Sequence, residues 1–180
     1  VRPHHRRDVL STRSDEESYF VRGDQSDMAD IAFSSELVVM LDDVKTYQEA
    51  EAVLANHLVE LGYAKSSFPQ AIAEREESFP TGLQIGEFNA AMPHCDPENV
   101  NQAAICVGVI KNPVDWKRMD DPDETCKVSL VTMLALTEAH SHLEMLQKVV
   151  ALIQDQGLMG KIASVSSPQE VFELVGSKLN

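Results

Sequence analysis

The sequence predicts an α/β fold in which strands alternate with helices. Three apolar runs have the length and composition of buried strands, and they cover residues 36–41, 103–110 and 128–136. Apolar residues also recur at helical spacing between and after these runs, in residues 46–61 and 143–153. This alternation indicates a layered fold, with helices packed on a sheet.

The composition indicates one globular domain with an N-terminal extension. The chain has 180 residues, of which 43% are hydrophobic and 24% charged, as is typical of a domain with its own core. Residues 1–33 lack a hydrophobic period and are expected to form a poorly structured tail, whereas residues 34–180 form the domain. No apolar run approaches the roughly 20 residues of a membrane span, so we expect no membrane insertion.

Charge and cysteine content narrow the classes of function. The formal net charge of −14 argues against nucleic-acid binding, which needs clustered lysine and arginine, and favours a basic protein partner. The three cysteines, Cys95, Cys106 and Cys126, lack the spacing of a metal site. We therefore expect free thiols in a reducing cytoplasm, and no bound cofactor.

The first two helices have recognisable boundary signals. Thr46 and the glutamate three residues later form a capping box, and Gly62 is placed to end the same helix. A second helix is predicted from Ser66 or Ser67, with the serine as its N-cap, to about Arg75. Arg75 is then a cation near a helix C-terminus, where it also suits the helix dipole.

A histidine on a stiff backbone follows the second helix. Residues 87–92 predict a short extended segment, which leads directly into Pro93 and His94. Proline fixes its own φ angle and biases the preceding residue toward extended geometry, so His94 is expected on a well-defined backbone. We therefore interpret His94 as a nucleophile that carries a phosphoryl group, and the rest of the chain as the scaffold that positions it.

The second half of the domain is predicted to contain two long strands followed by helices. Asn112 and Pro113 are expected to end the first of these strands, and residues 120–124 to form an acidic turn before the second. A helix that starts after two histidines is expected to end at Gly157. Ser167, followed by proline at the first helical position, predicts the start of the last helix.

Three kinds of chemistry could use these residues. Phosphoryl transfer needs an imidazole that attacks in line, and Arg75 together with His140 or His142 could stabilise charge on the phosphoryl oxygens. A metal site built from His94, His140 and His142 is the second hypothesis, although the spacing of the later pair suits an extended segment better than a helix face. Cys–His hydrolysis is the third, but Cys95 beside His94 in sequence is poorly placed for activation by a base.

Several separated motifs resemble those of one protein family. In chain order they are RE-x-x-FPTGL from Arg75, A-x-PH-x-D-P-E-x-V from Ala91, Pro113-Val114, Met119, and LAL-x-E-x-H-x-x-LEMLQK from Leu134. Together they resemble the IIA component of the bacterial phosphoenolpyruvate-dependent sugar phosphotransferase system, in its fructose/mannitol superfamily and most closely its galactitol-type proteins. The resemblance extends from about Ser35 to the C-terminus.

The resemblance implies a fold and a role for individual residues. The family has a mixed β-sheet flanked by helices, and it carries a phosphoryl group from phospho-HPr to a cysteine of its cognate IIB protein or domain. Its phosphorylated histidine corresponds to His94 and its arginine to Arg75. Its second histidine corresponds best to His142, whereas His140 fits the galactitol-like motif. The implied function is that of a cytoplasmic phosphocarrier, a phosphotransferase, for a sugar or hexitol transport system.

Two differences from the common fructose-type pattern bear on the sugar rather than on the chemistry. The common pattern has small and β-branched residues before the Pro-His pair, whereas this sequence has Asn-Ala-Ala-Met at residues 89–92. A glycine often follows the histidine in that pattern, whereas Cys95 stands there in this sequence. An alternative function is also compatible with the resemblance. A IIA-like regulatory domain, whose phosphorylation state controls a transcription factor or another partner, would keep the same site residues.

Overall fold

The computed structural model describes residues 18–22, 30–137 and 143–179, with the backbone alone for residues 18–22 and 30. The strands are β1 (Ser18–Arg22), β2 (Asp30–Ser34), β3 (Val38–Leu41), β4 (Gly82–Leu83), β5 (Asn89–Ala91), β6 (Ala104–Lys117) and β7 (Thr125–Ala135). The helices are α1 (Tyr47–Glu60), α2 (Phe68–Ser78), α3 (Leu143–Gln154), α4 (Gln156–Ser164) and α5 (Pro168–Leu179). Short 3-10 turns cover Ser35–Leu37 and Pro97–Asn99.

The strands form one mixed sheet, which has seven strands in the part of the chain that the structure describes. Its order is β1-β2-β6-β7-β5-β4, and β3 also pairs with β6. The long antiparallel pair β6–β7 forms its centre. Strands β2 and β3 run parallel to β6, and β5 runs parallel to β7. The predicted α/β architecture with a mixed sheet is thereby confirmed.

Two groups of helices flank the sheet. Helix α1 packs against α2 and β6, while α3, α4 and α5 contact one another, and α4 and α5 also contact the sheet. Gly108 of β6 allows the close approach of α1, because a Cβ atom there would clash with Leu54 of that helix and with Leu41 of β3. Among the described helices, none combines the length and the apolar character needed to cross a bilayer.

Hydrogen bonds and backbone angles confirm three predicted boundaries. The Thr46 side chain accepts the N–H of Glu49 at 3.2 Å at the start of α1. Gly62 follows the same helix with a φ of 88°, in the left-handed region that glycine adopts readily. The Ser167 side chain accepts the N–H of Glu170 at 3.2 Å at the start of α5.

The predicted break at Asn112 and Pro113 is wrong. Strand β6 continues to Lys117, and its pairing register with β7 shifts between Val109 and Val114. The proline therefore lies at an irregularity, where its missing N–H does not remove a ladder hydrogen bond. Pairing with a long neighbouring strand outweighs a local signal that would otherwise end the strand.

One predicted helix boundary and one predicted capping role also need correction. Gly157 lies inside α4 rather than at the end of α3, because the Asp155 carboxylate accepts the N–H of Leu158 at 3.0 Å and starts a new helix. Ser67 stands at the N-cap position of α2, but its side chain makes no capping hydrogen bond. It donates instead to Oδ1 of Asn99 at 2.8 Å, which links α2 to a distant turn.

Residues 18–22 and 30–33 differ from the expectation of a poorly structured tail over residues 1–33, and the rest of that range lies outside the described residues. Strand β1 pairs with β2, and β2 pairs with β6, so both belong to the sheet. Phe33 of β2 is fully buried, and its ring packs on Phe172 of α5 with centroids 5.4 Å apart. Strands this short carry little signal of their own, which is why the sequence did not reveal them.

Candidate functional site

His94 follows β5 and lies beside β7. The carbonyl oxygen of Pro93 accepts the N–H of Leu134 at 2.9 Å, and His94 forms a parallel bridge with Leu134. At the last residue of β5, the carbonyl of Ala91 accepts the Thr132 hydroxyl at 3.2 Å. These bonds fasten the backbone before and at the histidine, whose side chain is half-buried. A fixed backbone thus presents a ring that solvent can reach.

The His94 ring is oriented by its own backbone. Its Nδ1 lies 2.9 Å from the carbonyl oxygen of Met92. A carbonyl oxygen accepts hydrogen bonds and never donates them, so Nδ1 carries the hydrogen when the neutral ring makes this bond. The lone pair is then on Nε2, the nitrogen farther from the backbone. This contact therefore leaves Nε2 as the ring nitrogen with the available lone pair.

The turn after His94 is tied to the start of α2. Asn99 is buried, and its side-chain amide donates to the carbonyl of Asp96 at 3.1 Å and lies 3.8 Å from Sγ of Cys95. On its acceptor side, Oδ1 of Asn99 receives the Ser67 hydroxyl at 2.8 Å. The Lys65 N–H also donates to the Asn99 carbonyl at 2.9 Å. The histidine segment and α2 therefore have a fixed relative position.

Arg75 is an exposed side chain near the end of α2. Its guanidinium lies over the Phe79 ring, 4.7 Å from the centroid. Arg75 lines a cavity of about 480 Å³ together with Cys95 and Asp96, which directly follow the histidine. The structure therefore brings the predicted arginine to the segment that carries His94, although the two are far apart in sequence.

Glu76 lies almost fully buried beneath this surface, with 1% of its area exposed. Its Oε1 accepts the Thr81 N–H at 2.7 Å, the Thr81 hydroxyl at 2.9 Å and the Trp116 indole N–H at 2.7 Å. Burial raises the pKa of Glu76, while these bonds and the nearby His94 act to lower it. The sequence did not single out Glu76 as a site residue, although Glu76 is the second residue of the RE-x-x-FPTGL motif.

A second buried carboxyl group, Glu51 of α1, lies close to Glu76. It is 3% exposed, and its Oε2 has no hydrogen-bond partner among the described residues. Burial, reinforced by the charges of Glu76 and Glu77, raises the pKa of Glu51 to about 8. The Tyr47 hydroxyl donates to the Glu77 carboxylate, which also receives Lys117 at 3.0 Å. At a pKa of about 8, Glu51 retains its proton at neutral pH.

Cys95 is a poor nucleophile in this environment. Burial raises the pKa of its thiol to about 11, so the thiolate is scarce at neutral pH. Hydrolysis through a Cys95 thiolate is therefore not supported. Within residues 18–22, 30–137 and 143–179, no three histidine, cysteine or carboxylate side chains are grouped as metal ligands.

The two later histidines, His140 and His142, fall outside the described residues. Strand β7 ends before them at Ala135, and α3 begins after them at Leu143. Their predicted role as site residues, and the metal hypothesis that depends on them, both stay predictions.

Comparisons with known proteins agree with this architecture. A sequence model of the family described as phosphoenolpyruvate-dependent sugar phosphotransferase system, EIIA 2, matches residues 32–178. The matched range begins within β2 and ends within α5, so it includes every site residue discussed above.

Individual relatives show likeness in sequence or in fold. The PTS system galactitol-specific EIIA component of Escherichia coli K12 is 27% identical over 116 residues, 64% of this chain and 77% of that protein. The transcriptional regulator ManR of Bacillus subtilis is 32% identical over 83 residues, 46% of this chain and 11% of the regulator. The complex of enzyme IIAMTL and phosphorylated enzyme IIBMTL from Escherichia coli contains a similar fold, with a TM-score of 0.66, 22% identity and coverage of 81% of this chain and 97% of that chain.

Proposed function

The chain belongs to the EIIA 2 family of the phosphoenolpyruvate-dependent sugar phosphotransferase system, and we propose that His94 is the residue on which it carries phosphate. Members of this family are phosphotransferase components of sugar transport systems. In this proposal, phospho-HPr donates a phosphoryl group to His94. His94 then passes the group to a cysteine of a IIB protein or domain in a sugar or hexitol (galactitol-like) transport system.

The observation that carries the proposal is the hydrogen bond between Nδ1 of His94 and the Met92 carbonyl. It leaves the Nε2 lone pair to attack phosphorus in line, so that the Nε2–P bond forms as the N–P bond of the donor breaks. The hydrogen on Nδ1 stays in place. In the second step the thiolate of IIB attacks, an S–P bond forms, and the neutral His94 ring leaves.

Arg75 is proposed to stabilise the charge that develops on the phosphoryl oxygens. The transition state spreads negative charge over three equatorial oxygens, and a guanidinium offers a planar set of donors for them. Its place beside Cys95 and Asp96 supports this role. We also propose His142, in preference to His140, as a second donor, because β7 passes His94 shortly before these two residues.

The proposed partners, HPr and IIB, would dock on the surface around His94. Phe79 beside Arg75 leaves 62% of its area exposed, which offers an apolar contact. The net charge of −14 favours partners with a basic docking face. The likeness to IIAMTL, whose complex with phosphorylated IIBMTL is known, supports a IIB partner. We place this exchange in the cytoplasm, with no need for a cofactor, a nucleic acid or insertion in a membrane.

Labelling with phosphoenolpyruvate, enzyme I and HPr tests the proposal. We expect the wild-type protein to gain one phosphoryl group that is labile in acid and stable in base, measured by intact-protein mass spectrometry. His94→Ala should abolish the labelling, because it removes the nucleophile.

His57→Ala provides the matched control for this experiment. His57 is half-buried on α1, and its Nε2 lies 2.6 Å from the Glu36 carbonyl, so its loss should leave the labelling intact. Full labelling of the His94→Ala variant would show that another residue carries the phosphoryl group.

A regulatory role is the second candidate function. The likeness to part of ManR favours it, because that protein is a transcriptional regulator. The site would then be phosphorylated in the same way, but the group would not be passed to a IIB cysteine. Transfer from the labelled protein to candidate IIB proteins, with sugar uptake as a second readout, distinguishes the two roles.

A further inference from the structure

Hydrogen bonds on both sides of Met92 connect the buried Glu76 to the ring of His94. The Thr81 hydroxyl donates to Glu76 at 2.9 Å and accepts the Met92 N–H at 3.1 Å. The carbonyl of the same Met92 accepts the Nδ1–H of His94 at 2.9 Å. Glu76, Thr81 and Met92 are all buried. The N–H and C=O of Met92 belong to successive peptide groups joined at its Cα atom, so the buried backbone of Met92 is what links Glu76 to the ring.

Glu76 is a well-bonded anchor for the Thr81 hydroxyl. Its Oε1 receives the Trp116 indole N–H and the Thr81 N–H, and the hydroxyl lies 2.9 Å from Oε1 and 3.1 Å from Oε2. Oε2 of the neighbouring Glu51 receives no hydrogen bond from the described residues. The donors that stabilise a carboxylate are thus directed at Glu76.

We propose that Glu76 acts through Thr81 as a positioning residue: it holds the Met92 backbone so that the Met92 carbonyl keeps His94 in the tautomer protonated on Nδ1. The inference rests on the proposed function and deepens it. The Thr81 hydroxyl is held by Glu76 and accepts the Met92 N–H, which fixes the direction of the neighbouring Met92 carbonyl. This keeps the Nε2 lone pair available for attack, and it stabilises the positive charge that the ring gains when Nε2 bonds phosphorus.

The tautomer can be measured directly in the unphosphorylated full-length protein. The protein would be labelled with 15N-histidine. The His94 ring nitrogens would then be observed by NMR at a pH at which the imidazole is neutral. Thr81→Val removes the hydroxyl that joins Glu76 to the Met92 N–H, and Glu76→Gln keeps the side-chain shape but exchanges the carboxyl acceptor of that hydroxyl for an amide. In both variants we expect the population to move from Nδ1–H toward Nε2–H. We also expect the rate of phosphorylation by phospho-HPr to fall by about tenfold or more, because the orienting partner of a histidine sets its reactive tautomer.

Two further variants separate positioning from loss of stability. Thr81→Ser keeps the hydroxyl, so it should retain the wild-type tautomer and rate. Trp116→Phe removes a donor to Glu76 but keeps the contacts of Thr81 with Glu76 and Met92, so it should lower the melting temperature and leave the tautomer unchanged. The inference is overturned if Thr81→Val and Glu76→Gln retain the wild-type tautomer, or if Trp116→Phe shifts it as far as they do. If Thr81→Val does not fold, Glu76→Gln decides the question.

The two readouts also separate this inference from the proposed function. The tautomer is observed without any phosphoryl donor. A shifted tautomer in the variants, with no labelling of the wild-type protein by phospho-HPr, supports the positioning role and contradicts the phosphocarrier role of His94. Normal labelling of the wild type, together with an unchanged tautomer in the variants, supports the phosphocarrier role and contradicts the positioning role.

Discussion

The guanidinium of Arg75 combines three properties that suit a phosphoryl group. It is exposed, it is steadied by the Phe79 ring at 4.7 Å, and it shares a cavity with Cys95 and Asp96. Its neighbours in sequence, Glu76 and Glu77, bond to other groups, and no ion pair joins either of them to Arg75 within the described residues. The positive charge therefore remains available to an incoming anion.

Arg75→Ala should slow transfer to His94 without unfolding the protein. Removing one oriented donor to a developing charge lowers such rates by roughly 10²-fold. The rate of labelling by phospho-HPr measures the effect, and circular dichroism checks the fold. Arg118→Ala is the matched control, because Arg118 pairs with Asp120 at 2.6 Å in the acidic turn. Equal rates for Arg75→Ala and the wild type would place Arg75 outside the site.

At the level of single residues, the sequence predicted the backbone of His94 but not the state of its ring. A proline before a histidine restricts the chain whatever surrounds it. Which nitrogen carries the hydrogen depends instead on the Met92 carbonyl, whose direction follows from the pairing of β5 with its neighbours. The role of His94 itself stays a prediction until labelling is done.

At the level of elements, the site depends on how the turn after His94 is attached to α2. Asn99 makes this attachment by accepting from Ser67 and donating to Asp96. A helix and a turn that are far apart in sequence are thus joined through one buried amide. The sequence pointed to Ser67 only as a helix cap, because a serine before a helix usually has that role.

Asn99→Ala should lower both stability and transfer. It removes the side-chain hydrogen bonds of Asn99 with Ser67 and Asp96, and an ordinary hydrogen bond contributes about 0.5–1.5 kcal/mol to stability. Urea unfolding measures the free energy, and phospho-HPr labelling measures the rate. Asn101→Ala is the control, since Asn101 is exposed and its effect should stay within about 0.5 kcal/mol. Similar stability of the two variants would contradict the structural role of Asn99.

Across the whole molecule, stability should depend on pH through the buried Glu51. Its pKa is raised from 4.5 to about 8 by burial and by the charges of Glu76 and Glu77. Between these two values the folded protein keeps a proton that the unfolded chain has released. Rising pH therefore lowers the free energy of unfolding, by at most about 1.4 kcal/mol per pH unit. The contribution of Glu51 is complete below about pH 4.5 and is lost once the pH has passed about 8.

Glu51→Gln should remove this dependence, because glutamine has the shape of the protonated acid and does not titrate. We expect the melting temperature of the variant minus that of the wild type, measured by calorimetry, to be larger at pH 8 than at pH 5. Glu60→Gln changes an exposed carboxylate on the same helix and serves as the control. An equal difference at both pH values would mean that Glu51 does not hold its proton in the folded protein.

The sequence by itself determined the α/β class, most helix boundaries and the family, because periodicity, caps and motifs act within a few residues of one another. Only the tertiary structure decided what Glu76 and Ser67 bind, since their partners Trp116 and Asn99 lie 40 and 32 residues away. It also decided that β6 continues past Pro113. Such contacts depend on strand register and helix packing, and these minimise the free energy of the whole chain rather than that of any one segment.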